Sequence, residues 1–148
     1  MRCVAQRVTW AEVHVAGERV GRIERGLLAF VGVAPDDDLA TAHKLADKLA
    51  ALRVFADEHG RMNHPLAAVA GGVLVISQFT LFGDLSRGNR PSFVGAAPPA
   101  QAEPLVDAVA ARLRDHHGLE VAEGVFGAAM AVTSHNDGPV TLVLELRH

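Results

Sequence analysis

Val73-Leu74-Val75-Ile76 runs straight into Ser77-Gln78-Phe79-Thr80-Leu81. An unbroken apolar run followed by polar residues reads as a strand buried on both faces. Its polar end points toward a crevice, where ligands commonly bind in sheet proteins. Before it, the stretch from Gly60 to Gly72 is a loop with one short helix at Leu66–Ala70. Asp36-Asp37-Asp38 opens a helix, because carboxylates suit the positive end of a helix dipole. Leu39, Ala42, Leu45, Leu49 and Leu52 give that helix one apolar stripe. After Ser77, a loop over Gly83–Pro91 leads to a second helix over Pro99–His117, striped by Val106, Val109 and Leu113, with Pro104 expected near its first turn. Gly118 stands where such a helix ends.

Strands fill both ends of the chain. Arg2–Trp10 and Glu12–Val15 alternate, with Val4, Val8 and Trp10 on one face. Ala16-Gly17-Glu18 turns into strands at Arg19–Ile23 and Leu27–Val33. Leu119–Glu123, Ala129–Ser134 and Val140–Leu146 close the chain, with Val140, Leu142, Leu144 and Leu146 sharing a face. The expectation is one α+β domain over 1–148: a curled, largely antiparallel, barrel-like sheet with two helices packed outside.

Composition narrows the function. Hydrophobic residues at 49% and charged residues at 21% suit a folded globule rather than a disordered chain. No apolar run approaches the roughly 20 residues of a membrane helix, and the N-terminus lacks a secretory apolar stretch. A cytoplasmic protein without a membrane role is expected. Cys3 is the one cysteine, which excludes an internal disulfide and a cysteine-based zinc site; it reads as a small buried hydrophobe. The net charge of −3 argues against tracking a long phosphate backbone. An RNA partner would have to be met at a short end.

Three segments carry possible chemistry. In the first, Ser77 and Thr80 either bond within the sheet or face a ligand, and they share a site only if the chain bends. In the second, Arg87-Gly88-Asn89-Arg90-Pro91-Ser92-Phe93, two arginines flank a turn and either hold phosphate or carboxylate or stand in solvent. The third, Asn136-Asp137-Gly138-Pro139-Val140-Thr141, reads equally as a turn into a strand that tolerates proline. The eight histidines show no HxH or HExxH spacing, and His116-His117 suits a solvated helix end. With no P-loop and no G-x-S-x-G elbow, nothing supplies a general base for Ser77, and neither metal nor cofactor is expected.

Taken together, Ser77-Gln78-Phe79-Thr80-Leu81 and Asn136-Asp137-Gly138-Pro139-Val140-Thr141 resemble the motif pair of the D-aminoacyl-tRNA deacylase family. Val4-Ala5-Gln6-Arg7-Val8, Gly60-Arg61-Met62-Asn63, Arg90-Pro91-Ser92-Phe93 and Val125-Phe126-Gly127-Ala128 extend the likeness over the chain. Phe82-Gly83 and His135 depart from the family's tyrosine-alanine pair and loop residue.

The resemblance implies a homodimer that removes D-amino acids from the 3′-terminal adenosine of tRNA, with no DNA partner. Ser77, Gln78, Phe79 and Thr80 would line one subunit's catalytic pocket. Gly138-Pro139, joined by a cis bond, would reach in from the other subunit, braced by Arg7. Phe126 and Met130 would hold the adenosine. Backbone N–H groups at Gln78, Phe79 and Thr80 would stabilise an oxyanion, with help from the ribose 2′-hydroxyl. The Gly138 and Pro139 carbonyls would accept the substrate ammonium and exclude L side chains, while glycine mischarged on alanine tRNA would pass. Two rivals stay open at this point: a Ser77 or Thr80 esterase with a histidine base, and a dimeric module that binds RNA ends or adenine nucleotides.

Overall fold

The computed structural model describes residues 1–147. β1 runs from Arg2 to Val15 as one strand, where two were expected. A two-residue turn at Ala16-Gly17 returns it as β2, Glu18–Ile23. β3, Gly26–Gly32, lies antiparallel to the first half of β1. After α1 (Leu39–Ala51) come a small hairpin, β4 (Phe55–Ala56) with β5 (Met62–His64), and a 3-10 turn at Leu66–Val69. β6, Gly72–Ser77, is parallel to β3. α2 (Pro99–Asp115) leads to β7 (Glu120–Glu123), which is parallel to β6, and β8 (Ala131–Glu145) pairs antiparallel with β1 along its length.

The result is a mixed α+β architecture whose sheet curls toward closure: every pairing of β1 is antiparallel, while β3–β6–β7 run parallel. The ends of the curl meet at Gly21. A Cβ there would stand 2.7 Å from the Glu123 carbonyl oxygen, so only glycine lets β2 approach β7. Among the described residues no helix is long and apolar enough to cross a membrane.

Alternation along β3 and β6 feeds two cores. Leu27, Ala29, Val31, Val73 and Val75 face the helices, where they meet Leu45, Leu49, Val109 and Leu113. Leu28, Leu74 and Ile76 face inward and meet Val8, Ala11, Val13 and Ile23. β6 is thus buried on both faces, as its apolar run indicates. Cys3 is fully buried in the outer core, and burial pushes its thiol up to about 12.

Four expectations need correction. Val8 is buried, but Val4 and Trp10 are only half-buried; Cys3, Ala5, Ala11 and Val13 take the buried positions. The β1–β8 register slips twice between Gln6 and Trp10, and each slip resets the side-chain alternation. Leu39 is 54% exposed because Asp38 caps α1 immediately before it, accepting from the Thr41 N–H at 2.9 Å. The buried stripe is Thr41, Ala42, Leu45, Ala46 and Leu49. Pro104 lies inside α2 rather than in its first turn; it forgoes the bond to the Ala100 carbonyl, and the buried Ala102, Val106 and Val109 hold the helix through it. On β8, Val140 and Leu144 are buried, but Leu142 is exposed, and beyond the strand Leu146 is half-buried.

Candidate functional site

The parallel ladder ends at Ser77, which lies opposite Val31. One further bond continues it: the Gln78 N–H donates to the Val31 carbonyl at 2.8 Å. Gln78 then takes φ −144° and ψ 78°, and the chain leaves the sheet as a 3-10 turn over Phe79–Phe82. That is the bend needed for strand and turn to serve one site. The Leu81 N–H donates to the Gln78 carbonyl (3.2 Å) and the Gly83 N–H to that of Thr80 (2.9 Å). The first N–H groups of a helical turn have no partner within it, and those of Phe79 and Thr80 meet no acceptor among the described residues. Arg2 fixes the turn from beneath, donating from Nη1 to the Leu81 carbonyl at 3.0 Å with its guanidinium 4.7 Å from the Phe82 ring centre.

Two clefts flank Ser77-Gln78-Phe79. The larger, about 400 Å³, is apolar and reaches past Phe93, Pro98 and Phe126 to Val31 and Val106. The smaller, about 240 Å³, is bounded by Ile76, Ala128, Met130 and Val132. Gly127 borders both, so Phe126 and Met130 lie in neighbouring clefts rather than in one. Phe79 and Phe93 meet edge to face across the rim, with centroids 5.0 Å apart. The Gln78 side-chain amide donates to the Thr80 hydroxyl.

Among the described residues, neither cleft is lined by a histidine, carboxylate, lysine or arginine. A crevice of about 20 Å³ behind Ser77 holds Asp107 and Glu123, but no hydrogen bond joins either to Ser77, and Glu123 pairs with Arg114 at 3.2 Å. The Ser77 hydroxyl thus has no base beside it, while two backbone N–H groups stand open at the end of the strand. Such an arrangement can hold an oxyanion but cannot generate a serine nucleophile.

Asn136–Thr141 forms a separate element. Between the pairs Gln6–Thr141 and Val8–Asn136, Arg7 alone faces Asp137, Gly138, Pro139 and Val140, so these four residues bulge from β8. The Gly138–Pro139 bond is cis, and Asp137 to Pro139 are exposed. Arg7 braces the bulge: Nε donates to the Asp137 carbonyl (3.1 Å) and Nη1 to that of Val54 (2.7 Å). The Asn136 side-chain oxygen accepts the Val140 N–H at 3.1 Å. No residue from Asn136 to Thr141 lines either cleft.

Three contributors escape sequence reasoning. Phe93 and Asn136 stand there inside motif segments without a role of their own, and the Val54 carbonyl carries no signal at all. Asp47, His116 and His117 offer ligand atoms within 4.8 Å of one another. Asp47, however, takes two bonds from Arg112, at 2.7 and 3.1 Å, and lies 2.7 Å from His117 Nε2. The arrangement is an ion pair that joins the two helices.

The chain matches the family model described as D-Tyr-tRNA(Tyr) deacylase over residues 4–145. It is 57% identical over 146 residues to a D-aminoacyl-tRNA deacylase of Sorangium cellulosum, covering 98% of this chain and 97% of that one. A Deinococcus radiodurans protein of the same name is 54% identical, covering 99% of this chain and all of its own. Among solved structures, the c-Myc DNA Unwinding Element Binding Protein superposes with a TM-score of 0.91 at 38% identity, covering 98% of each chain. A probable eukaryotic D-amino acid tRNA deacylase shares the fold at a TM-score of 0.83 and 16% identity, covering 97% of each chain. Fold, site and relatives define the class: this is an enzyme, a deacylase. The chain belongs to the D-Tyr-tRNA(Tyr) deacylase family.

Proposed function

We propose that the protein hydrolyses the ester between a D-amino acid and the 3′-terminal adenosine of tRNA, releasing free tRNA and the amino acid. The observation that carries this reading is the pair of open N–H groups at Phe79 and Thr80, beside clefts without a base. An aminoacyl ester is already reactive. Water adds to its carbonyl carbon, the two N–H groups stabilise the oxyanion, and the bond to the 3′ oxygen breaks. The neighbouring 2′-hydroxyl relays the proton. One such backbone donor is worth roughly 10²–10³ in rate. Gln78, whose own N–H is committed to Val31, acts instead by holding the Thr80 hydroxyl.

Adenosine suits the apolar cleft at Phe126, with Met130 closing the adjoining one. The Gly138–Pro139 turn is braced, exposed and outside the lining of its own clefts, which suits insertion into the site of a second copy. The outer edge of β8 is unpaired among the described residues and carries Val143, 72% exposed, a surface suited to that homodimer. The inserted backbone forms the chiral wall: it blocks L side chains, tolerates any D side chain and passes glycine, including glycine on alanine tRNA. The reaction belongs in the cytoplasm, where tRNA is charged, and neither DNA nor a membrane enters it. Ester loss from D-Tyr-tRNA and L-Tyr-tRNA tests the reading. Rapid loss of the D ester alone is expected; equal rates, or no loss of either, would overturn it.

A further inference from the structure

Nine of the twelve arginines have a side-chain partner among the described residues. Arg2, Arg7, Arg19, Arg22, Arg112, Arg114 and Arg147 each meet a carboxylate. Arg53 donates to Asn63, and Arg25 lies over the Phe55 ring. Arg87 and Arg90 meet no carboxylate, carbonyl or ring among the described residues, and both are exposed. Apart from Arg61, they are the only arginines left without a side-chain partner there, and they sit on one turn.

Position gives that turn its meaning. The Asp84–Ser92 bridge closes the loop at its base, with N–H to carbonyl bonds of 2.8 and 2.9 Å. On one side the loop joins the 3-10 turn that carries the open N–H groups; on the other it joins Phe93, at the rim of the larger cleft. At about 3.3–3.6 Å per residue, Arg90 lies within roughly 11 Å of Phe93 along the chain. The other cleft-lining stretches (31–33, 93–106 and 126–132) hold no lysine or arginine. Phe79 and Phe93 stand beside the loop, 57% and 36% exposed. Exposed aromatic faces next to unpaired cations are what a single-stranded nucleic acid requires.

We propose that the Arg87–Arg90 turn is a phosphate clamp for the unpaired 3′ strand of the RNA, holding the phosphodiesters just before the terminal adenosine. The inference rests on the deacylase reading for its choice of ligand. It reconciles the net charge of −3 with an RNA substrate, because the unpaired cations beside the clefts lie on one short loop. Guanidinium groups suit this task, since their fork donates two parallel bonds to phosphate.

The test compares wild type with R87A/R90A in binding of uncharged tRNA and in hydrolysis of two substrates, D-Tyr-tRNA and 3′-O-D-tyrosyl-adenosine, which has no phosphate. The clamp predicts weaker tRNA binding and a raised KM for D-Tyr-tRNA, about tenfold for each arginine, at unchanged kcat. The log–log salt slope should flatten by roughly 0.7 for each phosphate no longer neutralised. Hydrolysis of the nucleoside ester should not change. R87K/R90K should keep the salt slope; a drop as large as that of the alanine pair would overturn the clamp. Unchanged tRNA binding and KM in R87A/R90A would also overturn it, while leaving the deacylase reading intact. If wild type hydrolyses neither ester but R87A/R90A still binds tRNA more weakly, the deacylase reading falls and the clamp stands.

Discussion

Gly138→Ala is the sharpest perturbation of the bulge. Gly138 has φ 130°, a conformation L residues rarely adopt, and an added Cβ would lie 2.8 Å from Val140 Cγ2, 3.0 Å from Arg7 Nη2 and 3.1 Å from the Val140 nitrogen. Val140 is buried, so it cannot swing aside. Arg7 can retreat only by giving up its bonds to the Asp137 and Val54 carbonyls. Backbone strain of this kind costs about 1–3 kcal/mol. At about 2–4 °C per kcal/mol for a chain of this size, the melting temperature should fall by roughly 2–12 °C. The bulge is exposed, so the fold should survive while the turn shifts. A displacement of about 1 Å at a positioning element costs on the order of 10²-fold in rate. Release of D-tyrosine from D-Tyr-tRNA should therefore drop about a hundredfold. Gly60→Ala is the control: its φ is 74° and nothing lies within 4 Å of the added Cβ. It should lower the melting temperature and leave the rate alone. A Gly138→Ala enzyme that works within threefold of wild type would refute the reasoning.

Ser77→Ala and Thr80→Ala should each retain activity within about tenfold, or roughly 1.4 kcal/mol of barrier, because the backbone supplies the oxyanion donors; a thousandfold loss in a folded variant would restore a hydroxyl nucleophile. Mixing the impaired Gly138→Ala with an impaired Phe126→Ala variant should raise activity above that of either alone through hybrid dimers, and no rise after proven subunit exchange would place the whole site within one chain. Asp47 governs an acid limb of stability. The Arg112 hydrogen bond, followed by that of His117, holds its carboxyl down at about 2, against 3.8 for an ordinary aspartate. A group depressed in this way stabilises the fold above its unfolded pKa and loses that contribution as pH falls through the folded one. Asp47 is 42% exposed, so solvent screening keeps the effect modest. Asp47→Asn should have a lower denaturation midpoint than wild type at pH 7, and the gap should close between about pH 4 and 2; a constant gap would remove the ion pair from the stability account.

The sequence revealed those parts of the fold where one residue's neighbours settle its place. Val73–Ile76 reads as a strand covered on both faces, and the structure divides it between two cores. Ala42, Leu45 and Leu49 mark the buried face of α1 because they lie mid-helix. Leu39 misleads because its exposure follows from where Asp38 caps the helix. Alternation fails in β1, since its two register slips, three extra residues on β8 opposite Arg7 and one extra on β1 at Thr9, depend on a partner strand more than a hundred positions away. The site shows the same division. Ser77–Thr80 and Gly138–Pro139 are visible as motifs, and Arg7 as their brace only through resemblance. That the Gln78 N–H is committed to Val31, leaving those of Phe79 and Thr80 open, depends on where one strand ends. Phe93 reaches the rim by a loop closure that spacing does not disclose.

The central claim is that the backbone of the strand end and the RNA itself perform the chemistry, without a side-chain base. It is tested most directly by the rate on D-Tyr-tRNA whose terminal adenosine carries hydrogen in place of the 2′-hydroxyl, with the ester on the 3′ oxygen. The account predicts single-turnover hydrolysis on the order of a hundredfold slower than on the natural ribose, within the usual range for a lost acid–base group. Equal rates on the two substrates would contradict it and require a proton acceptor on the protein.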